Sequence, residues 1–290
     1  VQEGNSQCSS DTIDIRKLPG AVTGPDANGV YTVTYQIQAV NSGSLLATYG
    51  PITDYASFDG SLTILRASWS GPGTGNQVVT QEGGGPFWVT VANTQIPAGT
   101  THTYTMSMEF TRLEEHIPTL CDGTAGRGLF NAAWLPDGDE SLSLTNNMAC
   151  VDLLVPRLDV AKTGVVITGP DANDEYTATY TVTVTNSGTG ATTYGPLVDT
   201  TGFDSAITVQ GASWTGQASG TATGTSFTIA GAGTQIAAGT THQYNVSIQY
   251  SVEPGTLELS ECGATPQSGE GLYNSVSLPA GQEDPARNEN

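Results

Sequence analysis

Apolar and polar residues alternate with a period of two along much of the chain. Tyr31, Val33, Tyr35, Ile37 and Ala39 alternate with Thr and Gln, and Tyr176, Ala178, Tyr180, Val182 and Val184 alternate with threonines. A further run, Tyr104, Met106, Met108 and Phe110, has a second version in Tyr244, Val246, Ile248 and Tyr250. Successive strand side chains point to opposite faces, so this pattern predicts antiparallel strands with one face buried. Turn clusters such as Thr-Gly-Pro-Asp-Ala-Asn and Pro-Ala-Gly separate the runs. No amphipathic helical period of useful length is present. The expectation is an all-β chain of packed antiparallel sheets.

The pattern is duplicated. Gly24-Pro25-Asp26-Ala27-Asn28 recurs as Gly169-Pro170-Asp171-Ala172-Asn173, and Asn41-Ser42-Gly43 as Asn186-Ser187-Gly188. Tyr49-Gly50-Pro51 recurs as Tyr194-Gly195-Pro196, and Ala67-Ser68-Trp69 as Ala212-Ser213-Trp214. Past a five-residue insertion in the first copy, Gly99-Thr100-Thr101-His102 matches Gly239-Thr240-Thr241-His242, and Cys121 and Asn131 match Cys262 and Asn274. Two copies of one fold follow. Their lengths suit one sandwich each in a chain of 290 residues. The reading divides the chain into an N-terminal strand over 1–15, a first repeat over 16–156 and a second over 157–290, with the break near Pro156.

The same parity places polar groups on the buried faces. Lys17 shares a face with Ile13 and Ile15, and Lys162 with Leu158 and Val160. Asp54 shares one with Ile52, and Asp199 with Leu197. Asn131 lies with Leu129, Ala133 and Leu135, and Asn274 with Leu272, Val276 and Leu278. A buried ammonium needs a partner. In one reading Lys pairs with Asp, Asn satisfies backbone groups, and nothing reacts. In the other, a deprotonated Lys attacks the Asn side-chain amide, a protonated Asp polarises that amide, and ammonia leaves an isopeptide bond behind. Burial moves both ionisable groups in the direction this requires.

Charge narrows the classes of partner. The chain has 28 acidic and 8 basic residues, a formal net charge of −20. Such a surface repels phosphate and anionic lipid, which argues against nucleic-acid and membrane-surface partners. No apolar run approaches the length of a membrane-spanning helix. The four cysteines, Cys8, Cys121, Cys150 and Cys262, suggest disulfides and an oxidising, extracellular compartment.

No His-Glu-x-x-His or Cys-x-x-Cys occurs, so no zinc site or other cofactor is expected. His102 and His242 read as turn or packing residues at matching positions, and His116 has no counterpart. Gly83-Gly84-Gly85-Pro86 reads as a hairpin tip, and Asp137-Gly138-Asp139-Glu140 as an acidic turn too short for a true calcium loop. Trp69 and Trp214 read as core. Trp88, in the first-copy insertion, and Trp134, whose parity opposes Leu135, are candidates for stacking on sugars. Asn245-Val246-Ser247 is a glycosylation triplet of low specificity. No nucleophile–base set recurs, so no enzyme is expected.

Tyr-Thr-Val-Thr-Tyr followed by Asn-Ser-Gly and Gly-Pro-Leu-Val-Asp-Thr resembles the bacterial and archaeal conserved-repeat family called domain of unknown function eleven. Ala-Ala-Gly-Thr-Thr-His-Gln-Tyr and Gly-Leu-Tyr-Asn-Ser-Val-Ser-Leu fit the same pattern. The resemblance covers nearly all of both repeats. It implies immunoglobulin-like β-sandwiches strung along secreted and surface-attached proteins, and no particular chemistry.

Units resembling that family end on a strand carrying Cys after an Asn-rich turn. The first repeat has one, Asn146-Asn147-Met148-Ala149-Cys150-Val151-Asp152-Leu153, whereas the second reaches Asn288-Glu289-Asn290 without it. Gly4-Asn5-Ser6-Gln7-Cys8 reads like the missing piece. One reading makes residues near 1–15 a donor strand completing the second repeat of a neighbouring copy, which gives a head-to-tail filament. The other makes the chain a segment of a longer array. Under the first, Cys121 pairs with Cys150, and Cys262 with Cys8 of the next subunit. If the chain is instead self-contained, Cys8–Cys121 and Cys150–Cys262 is the pairing the repeat allows. The expected role is a structural subunit of an extracellular filament or surface stalk that self-associates. The alternative is an adhesin segment that binds glycans or a partner protein through its loops.

Overall fold

The computed structural model describes residues 13–72, 79–82, 85–136, 140, 144–255, 261–262, 265 and 267–283. Among them there is no α-helix, and every strand pairing is antiparallel. The chain divides into two compact units between Leu153 and Leu154.

Unit 1 contains β1 (Ile13–Thr23), β2 (Tyr31–Asn41), β3 (Ala47–Tyr49), β4 (Thr53–Ala56), β5 (Leu62–Ser70), β6 (Val79–Glu82), β7 (Phe87–Trp88), β8 (Thr94–Ile96), β9 (Thr101–Arg112), β10 (Leu129–Trp134) and β11 (Met148–Val151). One sheet runs β1-β2-β9-β5-β6, a second β11-β10-β4-β7, and β3 pairs with β8. Ile15, Tyr35, Ile37, Met106 and Met108 on the first sheet and Phe87, Leu129 and Ala133 on the second are fully buried. Two faces of alternating residues thus close on one β-sandwich-like core.

Unit 2 repeats the plan with β12 (Leu158–Thr168), β13 (Glu175–Asn186), β14 (Thr192–Tyr194), β15 (Leu197–Thr201), β16 (Ile207–Gly216), β17 (Gly220–Ala222), β18 (Ser226–Ala230), β19 (Thr234–Ile236), β20 (Thr240–Val252) and β21 (Asn274–Ser277). Its sheets run β12-β13-β20-β16-β17 and β18-β15-β21, and β14 pairs with β19. One apolar cluster joins Val160, Val182, Leu197, Phe227, Val246 and Val276 across both larger sheets. The two orders match strand for strand with one exception. Unit 1 has β11 outside β10, whereas unit 2 has no strand outside β21 among the described residues.

Two details depart from the sequence reading. Ile13, Asp14 and Ile15 pair with Asn41, Val40 and Ala39, so they begin β1 of their own unit rather than donate to another copy. Gly83 and Gly84 lie outside the described residues, but the stretch holding Gly85 and Pro86 is no hairpin tip. It leads from β6 in the first sheet to β7 in the second. The recurring Tyr-Gly-Pro has a steric cause. A Cβ on Gly50 would lie 2.7 Å from the Val91 carbonyl oxygen, and one on Gly195 2.4 Å from that of Gly231.

Candidate functional site

The lysines that parity turned inward are buried. The chain has two in all, Lys17 and Lys162, one per unit. Lys17 lies on β1 opposite Ile37, and Lys162 on β12 opposite Val182. The Lys17 and Asp54 side chains are wholly buried and ion-paired through Nζ and Oδ2. In unit 2, Lys162 Nζ lies 2.5 Å from Asp199 Oδ2, with side-chain exposures of 5% and 0%. Each ammonium also sits over a tyrosine ring, Lys17 5.1 Å from the centroid of Tyr35 and Lys162 4.8 Å from that of Tyr180. Those tyrosines donate through their hydroxyls to the carbonyls of Leu129, at 2.5 Å, and Leu272, at 2.7 Å.

The third member of each set lies on the strand beside the aspartate. Asp54 is opposite Ala133 and Asn131 opposite Ala56, which makes Asp54 and Asn131 diagonal neighbours on the inner face of the β4–β10 pair. Asp199 opposite Val276 and Asn274 opposite Thr201 reproduce that diagonal on β15 and β21. Each asparagine amide is near enough to favour its neighbour's carboxylate form. No Asp–Asn atom pair meets hydrogen-bond geometry, so the relation is one of adjacency. Asn131 Nδ2 donates only to the weak acceptor Met108 Sδ, at 3.3 Å. Asp54 Oδ1, Asn131 Oδ1, Asp199 Oδ1 and both side-chain polar atoms of Asn274 are buried with no hydrogen-bond partner. These are five of the eight such atoms among the described residues, so unsatisfied polarity gathers at these two sites.

Electrostatics moves the ionisable groups toward neutrality. Burial lowers the pKa of Lys17 against the opposing pull of Asp54, and raises that of Asp54 against Lys17. Lys162 is pulled down to about 8 by burial, and burial raises Asp199. A neutral amine beside a neutral carboxylic acid and a primary amide is the resulting tendency in both units.

The first strands carry a second repeated tie that sequence reasoning missed. The Ile15 amide donates to Glu140 Oε1 at 2.8 Å, and the Val160 amide to Glu283 Oε1 at 3.1 Å. Glu140 also accepts from Asn147 Nδ2 at 2.8 Å. Of the acidic turn proposed for calcium, residues 137–139 lie outside the described residues, and Glu140 is engaged in these bonds. No group of acidic, His or Cys side chains able to hold a metal occurs among the described residues. His102 and His242 lie in the first three residues of β9 and β20, where Nδ1 meets the hydroxyls of Tyr49 and Tyr194 at 2.8 and 2.9 Å. Those hydroxyls also meet Tyr104 and Tyr244, each at 2.5 Å.

Cys121 and Cys150 form a disulfide joining the segment before β10 to β11. Cys262, the repeat mate of Cys121, is exposed and not bonded to another sulfur. Cys8 lies outside the described residues. Trp69 is buried. Trp214 is half-buried and stacks on Phe227 with ring centroids 5.7 Å apart. The outer face of β7-β4-β10 aligns Trp88, Thr53 and Trp134 in one row, with Tyr55 two residues along β4 on the same side. Trp88 is 59% exposed and Tyr55 44%, and Trp134 is half-buried. The corresponding face of unit 2 carries Thr228, Val198, Thr200, Ser275 and Ser277.

No family model matches the chain, and no curated protein matches it. Among solved structures, an anti-sigma factor domain-containing protein is 10% identical over 94% of this chain and 96% of its own, with a TM-score of 0.18. Vicilin from Capsicum annuum is 7% identical over 89% and 81%, with a TM-score of 0.12. Oxalate decarboxylase from Bacillus subtilis is 10% identical over 93% and 80%, with a TM-score of 0.08. Scores this low do not establish a common fold.

Proposed function

We propose that the chain is a structural segment of an extracellular filament or surface stalk, built from two tandem immunoglobulin-like sandwiches and joined head to tail by strand addition. The observation that carries this reading is the open flank of β21. In unit 1, β11 covers that flank and brings Cys150 to Cys121. In unit 2 the described residues place no strand there, and Cys262 is not in a disulfide. An uncovered edge templates another strand, and a strand bearing Cys would also complete the disulfide. The stretch around Cys8 has the sequence for this role. Because the donor and acceptor surfaces differ, the contact is heterologous, and repeating it produces an open chain of subunits wherever the rotation does not close a ring.

The test is the mass of natively isolated protein with and without reductant. Multimers that collapse to monomer on reduction are expected, and Cys262→Ser should abolish them. Monomer under both conditions would sink the covalent filament.

The aromatic row on unit 1 favours a second reading, an adhesive segment for neutral glycans. Exposed Trp88 and Tyr55 beside half-buried Trp134 offer rings for stacking on sugar faces, and the net negative charge disfavours acidic sugars. Under this reading, cello- or chito-oligosaccharides quench tryptophan fluorescence, and Trp88→Ala weakens their binding about fivefold, as the loss of ~1 kcal/mol of stacking implies. No change in fluorescence with either sugar removes it.

A further inference from the structure

We propose that each unit closes an internal isopeptide bond, Lys17 Nζ to Asn131 Cγ in unit 1 and Lys162 Nζ to Asn274 Cγ in unit 2, with Asp54 and Asp199 as the proton carriers. The inference is independent of whether the chain polymerises.

Three observations converge on these residues. The first is placement. In both units a lysine from the first strand of one sheet reaches the aspartate of the facing sheet, and that aspartate is the diagonal neighbour of the asparagine. The second is selectivity. An acidic, water-exposed surface is where lysines ordinarily lie, yet this chain keeps none there and holds both of its lysines in its two cores. The third is unfinished polarity. A site built only as an ion pair would leave no reason to bury an asparagine with partnerless atoms beside it, since each such atom costs about 1–3 kcal/mol. Once the bond forms, the new amide has no charge to bury, and its oxygen accepts from the adjacent carboxylic acid.

The chemistry balances within the site. The lysine ammonium gives a proton to the aspartate, for which burial has prepared both groups. The neutral Nζ attacks Cγ of the asparagine. The aspartic acid donates a hydrogen bond to Oδ1, where negative charge develops, and so acts as the electrophilic aid. The proton shed by Nζ passes to Nδ2, the Cγ–Nδ2 bond breaks, and the Nζ–Cγ bond remains. Ammonia departs as the neutral molecule, and the aspartic acid keeps the proton it took from the lysine, so no charge is left in the core. No oxidant, reductant or cofactor is consumed. Dry walls of Tyr35 and Met108 in unit 1 keep water from competing with the amine.

The decisive measurement is the intact mass of the full chain after denaturation and reduction, followed by protease digestion. The expected mass lies below the sequence mass by two molecules of ammonia, with branched peptides joining the Lys17 segment to the Asn131 segment and the Lys162 segment to the Asn274 segment. In an Asp199→Asn variant the deficit should fall to one ammonia, with the unit 1 branch retained. A wild-type chain at full sequence mass, giving only linear peptides, overturns the proposal whether or not the variant folds. A deficit of one ammonia overturns it for the unit whose branch is missing.

Discussion

Asn186 shows how closely single side chains hold this fold. It is fully buried, donates to the carbonyls of Gly190 at 2.8 Å and Ala237 at 3.2 Å, and accepts from the amides of Arg157 and Gly188, both at 3.1 Å. Asn41 does the same work in unit 1 with Leu45, Ile96 and Gly43. Asn186→Ala orphans several buried backbone groups at once and should cost about 3 kcal/mol in chemical denaturation. The paired histidines add a pH dependence. Partial burial lowers the pKa of His102 and His242, and a neutral Nδ1 can accept from the tyrosine hydroxyl. The unfolded chain therefore binds the extra protons, and this stability is fully present above about pH 6.5 and lost as pH falls through the folded value. Thermal midpoints should drop on that side, and replacing both histidines with Gln should flatten the slope. Counting by twos from apolar neighbours such as Ile15, Ile52 and Leu129 gave the inward lysines, aspartates and asparagines, even where the strand itself does not alternate cleanly. The Tyr–Tyr–His chains were not legible, because Tyr49 and Tyr194 sit on three-residue strands with no alternation to read.

Among the elements, the long strands were legible and the short ones were not. β2, β9, β13 and β20 bury one face and match their alternation. β10 is buried on both faces as far as Ala133, so its sequence has no polar face to betray it. It is also the strand most tied to its neighbours. β11 flanks it on one side and β4 on the other, and the disulfide joins β11 to the segment leading into β10. Cys121→Ser reopens a loop with a sequence separation of 29 and should cost about 3 kcal/mol, read as a lower midpoint in urea. Asp14 contributes a further tie, accepting from Asn146 Nδ2 at 3.0 Å, so β1 is bound to the turn before β11 as well as to β2.

For the whole molecule, duplication is the fact that the sequence displayed most openly, and it extends to side-chain chemistry. Among the described residues, the units depart from this symmetry in the aromatic row of unit 1, the flank of β21 with no strand beside it, and Cys262 without a disulfide. In a tandem array, tension enters a unit at its first strand and leaves at its last. The Lys–Asp–Asn sets and the Glu140 and Glu283 contacts all fasten that first strand. With the proposed Lys–Asn bonds closed, stretching single molecules should release much less chain per unit in the wild type than in a Lys17→Met, Lys162→Met variant, because ion pairs and hydrogen bonds raise the force without shortening the chain released. Equal release from both would show that the first strands are held by ordinary sheet bonds alone.

The position of the two lysines also governs what can be attached to this protein from outside. With both sunk in the cores, no side chain offers a primary amine to solvent. Reagents and enzymes that work through lysine acylation, aldehyde fixation or amide ligation find no purchase along the folded surface. Proteases that cut after basic residues are left with six arginines in 290 residues. A succinimidyl ester added to the native protein should leave both Lys17 and Lys162 unmodified. A surface of threonine, serine and carboxylate is chemically quiet toward every reagent that seeks an amine.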